Sequence, residues 1–220
     1  MREIFDAELR QVGDDLAEMS RLVESAISRA GKALLEADLQ LAQEVIASDR
    51  TIDQIEASLD ERCVHILAQQ APVATDLRVV VSALRMSASL ERMGDLARHV
   101  AQVARGRYPA HAVVPAAQDT FAAMNEAAVR VAQRTTELLV TRDLEVAQAL
   151  ERDDDLLDEL HQETFAKLLD PSWDGTVQEA IDVTLLGRYY ERFGDHGVSV
   201  ARRVTFLVTG DFPEDHLHLG

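Results

Sequence analysis

Two short stretches carry side chains that could do chemistry together: Glu91-Arg92-Met93-Gly94-Asp95 and Glu191-Arg192-Phe193-Gly194-Asp195. Each sets a Glu and an Asp four positions apart, which on a helix places both carboxylates on one face. One such pair is ordinarily a solvated surface pair. Its recurrence with the inner Arg and Gly, in a chain that repeats itself, favours a shared task. Each Gly costs a helix interior about 1 kcal/mol relative to Ala, so its repetition predicts close approach of a neighbouring backbone. Arg92 and Arg192 are expected in surface ion pairs.

More acids precede each motif. Asp49, Asp53, Glu56 and Asp60 flank an apolar stripe before the first, and Asp154, Asp158 and His161 occupy the matching positions before the second. If these segments pack beside the motif helices, Asp49 and Asp53 meet Glu91 and Asp95, while Asp154 and Asp158 meet Glu191 and Asp195. Four converging carboxylates repel one another unless they are protonated or share a cation. Their oxygens suit magnesium, calcium, manganese or iron. Zinc is an option in the second half, where His161 or His196 can add a nitrogen.

The elements that must hold these groups are helices. Leu9, Val12, Leu16, Met19, Val23, Ala26, Ala30 and Ala33 alternate spacings of three and four, one seam of a helix over about 3–36. Asp38 is placed to cap a second helix, about 39–69, with Val45, Ile52, Ile55, Leu59, Cys63 and Ile66 inward. After Pro72, a third starts at Thr75 or Asp76 and runs to about Ala104. Its two opposite stripes, Val79 to Val100 and Leu77 to Asp95, predict packing on two sides. Polar Arg188 and Thr184 beside Glu191 predict that the motif acids lie near the surface.

Then the pattern restarts. Met124 falls like Met19, and Leu139 precedes Asp143 much as Leu34 precedes Asp38. A fifth helix is expected over 143–169 and a sixth over 176–208, with Leu186, Tyr190, Phe193, Gly197 and Val200 inward. The fold expected is all-α: six long helices forming two tandem antiparallel three-helix bundles. The first repeat spans 1–106, a linker 107–114, the second repeat 115–209 and a frayed tail 210–220.

Composition narrows the partners. Lys and Arg number 22 against 39 Asp and Glu, a net charge of −17 in 220 residues. Such a chain repels nucleic-acid phosphates and anionic membranes, and suits cations or a basic protein partner. Cys63 stands alone, so no intrachain disulfide forms and a reducing cytoplasm fits. Buried, it is a small apolar residue. The N-terminus has no apolar signal core, and no stretch has the ~18 apolar residues of a membrane span. His65, His99 and His111 show no partner pattern. Catalytic motifs are missing too: no Glu-x-x-His of di-iron bundles, glycine-rich phosphate loop, H-E-x-x-H or G-x-S-x-G. A carboxylate-bridged metalloenzyme or metal-storage bundle is the alternative to a non-enzymatic role.

Taken together, the tandem repeat, the two E-R-x-G-D motifs, Asp49-x-x-Ile-Asp53-x-Ile-Glu56 and Leu-Leu-Glu-Ala-Asp38 resemble the PhoU family over about residues 3–209. The resemblance implies a cytoplasmic adaptor that represses the phosphate-starvation response. It would connect the ATPase of the phosphate ABC transporter with a sensor histidine kinase and reach the membrane only through them. Family members commonly dimerise, and some bind metal clusters, iron in particular. Carried over, the metal ligands are Asp49, Asp53, Glu91 and Asp95, and Asp154, Asp158, Glu191 and Asp195. Leu96 and Glu56 stand where His196 and His161 stand, so the two sites can differ in preference.

Overall fold

The computed structural model describes residues 2–211, with side chains from residue 5 onward. Residues 212–220 of the expected frayed tail lie outside the described residues. Six long α-helices make up the chain: α1 (Arg2–Glu36), α2 (Leu39–Gln70), α3 (Ala74–Arg107), α4 (Gln118–Thr141), α5 (Leu144–Leu169) and α6 (Val177–Thr209). A 3-10 turn, Pro115–Ala117, precedes α4. No strand occurs among the described residues.

The helix starts follow local chemistry. The Asp38 side chain accepts from the Leu41 N–H, Asp143 accepts from Glu145, and Thr176 with Glu179 forms a reciprocal capping box. The third start differs from expectation. α3 begins at Ala74 after an extended Val73 with no side-chain cap, and the Thr75 hydroxyl instead accepts from Arg78. The two sharp corners, α1–α2 and α4–α5, place Ala37 and Arg142 in the left-handed region, at φ 53° and 57°. Neither corner has the glycine that normally marks such a bend.

Helices α1–α3 form one antiparallel bundle and α4–α6 the other, and the predicted seams point inward. Met19, Met124, Tyr190 and Phe193 are fully buried. One stripe departs from expectation. The second stripe of α3 packs only in part: Leu84 lies against the core, but Leu77 and Val81 remain exposed.

The halves join through two antiparallel helix pairs. α3 runs against α6, with Arg107 paired to Asp182 at one end and Arg78 over the Phe206 ring at the other. α1 runs against α4, where Gly31 meets Asn125 and Thr136 donates to Glu24. A Cβ on Gly31 would lie 1.8 Å from Asn125 Oδ1, the atom that accepts from the buried Tyr190 hydroxyl. Gly31→Ala is expected to cost about 1–2 kcal/mol in denaturant unfolding. In an Asn125→Ala background the same change should become neutral or stabilise by up to about 1 kcal/mol, the helix-propensity gain. A stabilised Gly31→Ala single variant would contradict this packing.

Candidate carboxylate site

Both sets of acids are brought together, each across a groove between neighbouring helices. The motif glycines make this possible, though by a contact the sequence did not indicate. A Cβ on Gly94 would meet Ile52 Cδ1 at 2.9 Å and Asp49 Oδ1 at 3.5 Å. On Gly194 it would meet Asp154 Oδ1 at 2.1 Å and Leu157 Cδ1 at 2.9 Å. The glycines therefore admit side chains of the neighbouring helix, the acids among them, and not its backbone. The acids straddle the surface, as expected of the motifs in part: Asp53, Asp158 and Asp195 are exposed, whereas Asp49 is buried and the Glu191 side chain is only 13% exposed.

In the first half, cations of the protein itself fill the cluster. Arg98 sets its Nε 2.7 Å from Asp49 Oδ2, an ionic contact not aligned as a hydrogen bond, and donates through Nη2 to Asp95 Oδ1. Arg92 donates to Asp95 Oδ2 at 3.1 Å and lies 3.5 Å from Glu91 Oε2. Burial pushes the Asp49 carboxyl above its ordinary range, Arg98 pulls it back, and Asp53 and Asp95 add repulsion. Glu91 is raised by burial and then by Asp95.

The second half has no such filling, because Val198 stands where Arg98 stands. Arg188 pairs with Glu191, and Arg192 reaches Asp195 only at 3.6 Å. Asp154 Oδ1 and Glu191 Oε2 are buried without a hydrogen-bond partner. Burial, followed by Asp158, Asp195, Asp155 and Glu191, pushes Asp154 up to about 7. Asp158 is raised by burial and Asp195, and Glu191 by burial and Asp195 with Arg188 opposing.

The two histidines separate. His161 tucks against Gly187, where a Cβ would come within 3.0 Å of its ring, and its Nε2 is buried without a partner. Burial, then Arg188, lowers its pKa. His196 instead crosses to the first half, lining a groove of about 490 Å³ with Asp53, Glu56, Ser89, Glu91 and Arg92. It is thus turned away from the role expected of it beside Asp154. Burial and the neighbouring Arg192 lower its pKa. His99, also at the α3–α6 seam, stacks on Tyr189 at 5.2 Å between centroids.

As the side chains stand, no group of three or more His, Cys, Asp or Glu among the described residues is arranged to hold a metal ion. The donor chemistry of the two clusters nonetheless differs. Orphaned buried oxygens and mutual repulsion fit the second to a cation, given side-chain rotation. In the first, a cation would have to displace Arg98. Sequence reasoning missed Arg98 and Gly187. The Arg98-to-Val198 difference was a readable signal for the former.

Comparison with known proteins agrees with this architecture. The PhoU domain family model matches twice, at residues 16–104 and 121–204. The chain is 46% identical to the phosphate-specific transport system accessory protein PhoU homolog 1 of Mycobacterium leprae, over 98% of this chain and 97% of that one. It is 45% identical to PhoU homolog 2 of Mycobacterium tuberculosis, over 97% of this chain and all of that one. The crystal structure of PhoU from Pseudomonas aeruginosa superposes with a TM-score of 0.85 at 31% identity, covering 94% of this chain and all of the other. By sequence, by internal duplication and by fold, the chain belongs to the PhoU family.

Proposed function

We propose that this chain is a non-enzymatic regulator of phosphate transport. It restrains phosphate uptake and the phosphate-starvation response by contacting the ATPase subunit of the phosphate ABC transporter and a sensor histidine kinase. The observation that carries this reading is the 46% identity, along nearly the whole of both chains, to a protein named an accessory of the phosphate-specific transport system. The charge of −17 suits basic protein partners, which would be bound in a salt-sensitive way. No helix among the described residues is long and apolar enough to cross a membrane, so membrane contact in this reading runs through partners.

Both acidic clusters serve as cation sites in this proposal: Asp49, Asp53, Glu91 and Asp95, and Asp154, Asp158, Glu191 and Asp195. The second is the readier, since Val198 stands where Arg98 stands and Asp154 Oδ1 and Glu191 Oε2 are buried without a hydrogen-bond partner. A bound divalent or iron ion would relieve repulsion across the α5–α6 groove and stiffen it. Phosphate itself is sensed indirectly, through the partners. The test is a pull-down with the purified ATPase and the kinase cytoplasmic region at high and low phosphate. Binding to at least one, weakened by salt, is expected, and binding to neither at any phosphate level would sink the adaptor reading.

A further inference from the structure

In each half two arginines touch the four acids, so the number of charges does not separate the clusters. Placement does. Arg92, Arg188 and Arg192 lie on the outside of their helices, with side chains 44–63% exposed, and each pairs with acids of its own helix. Arg98 is placed differently. Its side chain is 30% exposed, and it spans the groove, touching Asp49 of α2 and Asp95 of α3 at once. Asp49 is itself buried.

A guanidinium held between carboxylates of two helices is a stand-in for a cation in that groove. It marks where a positive charge is stabilised, between the buried acid of α2 and the last acid of the α3 motif. Its fit is imperfect. The Nε sits 2.7 Å from Asp49 Oδ2 but is buried without an aligned hydrogen bond. A metal ion takes carboxylate oxygens without that demand on alignment. The guanidinium does not lose its proton, so an ion entering there must push an intact positive charge out of the groove.

The second groove is built without this occupant. Val198 stands at the position of Arg98 and is buried. The ion pairs of Arg188 and Arg192 stay within α6. Burial and four neighbouring acids raise Asp154, with no cation opposing them. Arg188 tempers Asp158 only after burial, Asp195 and Asp155 have raised it. We propose that Arg98 sets the order in which the two clusters take a cation. The second cluster loads first, at low concentration of a divalent ion. The first loads at higher concentration, by exchange for the Arg98 guanidinium. One chain thereby answers the same ion in two stages, with the threshold fixed at position 98. This assignment rests on the cation-site reading of both clusters and deepens it.

Manganese(II) is the probe, titrated by calorimetry into the metal-free full chain, with free ion counted by its electron paramagnetic resonance signal. Wild type should bind in two steps about tenfold or more apart in Kd. Asp154→Asn should weaken the tighter step and Asp49→Asn the other. Arg98→Val copies the second half, and Arg98→Gln removes the charge but keeps a long polar side chain. Each should tighten the weaker step about tenfold or more and leave the tighter one within about twofold. Arg98→Lys keeps the charge and should keep the steps apart, which lost packing alone would not predict. Circular dichroism checks that each variant folds. A second step that appears only in the neutral variants would support the assignment equally. Equal affinities in wild type, or a weaker step unmoved in a folded neutral variant, would overturn the role of Arg98. So would a weaker step that Asp154→Asn assigns to the second cluster. No manganese bound by wild type or by any Arg98 variant would instead end the cation-site reading, and this assignment with it.

Discussion

Arg107→Ala should lower the melting temperature by roughly 6–12 °C, the equivalent of about 3 kcal/mol for a chain of this size. Arg107, at the end of α3, grips Asp182 on α6 through both Nε and Nη2, the latter at 2.9 Å. Asp182 is 3% exposed and also accepts from Gln178 Nε2, at 3.2 Å. Deleting the guanidinium leaves a buried carboxylate without its paired charge, held by the neutral amide of Gln178. The penalty is for the orphaned charge, not for the pair as such. Arg107→Leu combined with Asp182→Leu should therefore recover much of the loss, since neither charge is then left alone. Differential scanning calorimetry on the two variants decides the matter. A loss below about 2 °C in Arg107→Ala, or a double variant worse than the single, would mean that the clamp adds little. The consequence reaches the site, because the groove shared by Glu91, Arg92 and His196 exists only while α3 and α6 stay paired.

The second large effect is a pH dependence centred on Asp154. Its folded-state pKa stands near 7 against an ordinary value of 3.8, so folding favours the protonated form. The stabilisation is complete below the ordinary value and is lost as pH rises through about 7. Metal-free protein should lose on the order of 2 kcal/mol between pH 5 and pH 8 through this group, after allowing for its partial exposure to solvent. Glu191 and Asp158 shift in the same direction and add to the trend. Asp154→Asn isolates one group: it should raise the melting temperature at pH 8 by several degrees and by clearly less at pH 5. A cation held by the second cluster should restore wild-type stability at pH 8, by up to about 2.7 kcal/mol at a hundredfold excess over its Kd. Asp154→Asn should lose that response. Equal pH slopes in wild type and variant would remove Asp154 as the cause. A cation response that survives the substitution would remove it as a ligand.

Much of this molecule is written in local patterns. Spacings of three and four placed the inward seams, because a helix of 3.6 residues per turn buries one face whatever it packs against. Asp38 and Asp143 marked helix starts, because a cap needs only its own next three residues. The paired motifs identified the acids for a similar reason, since i and i+4 share a face in any helix. The breaks near 37 and 142 were legible too, but the left-handed backbone at Ala37 and Arg142 was not, because no glycine marks it.

What joins helices distant in sequence came only from the tertiary structure. Arg107 and Asp182 are 75 positions apart and belong to no repeat, so no periodicity announces their contact. His196 sits beside Asp195 in sequence yet faces Asp53 and Glu91, because the antiparallel pairing of α3 with α6 decides which half a side chain one position further round the helix will meet. Leu77 and Val81 read as a buried stripe but lie open, since α1, α2 and α6 take the other sides of α3 and none covers that end of the stripe. The carboxylate motifs show both sides of this division. Their types and spacing determined that four acids could meet in each half. The axial register of α2 on α3 and of α5 on α6 decided that Arg98 neutralises one set, while Asp154 and Glu191 are left with oxygens that nothing in the chain satisfies.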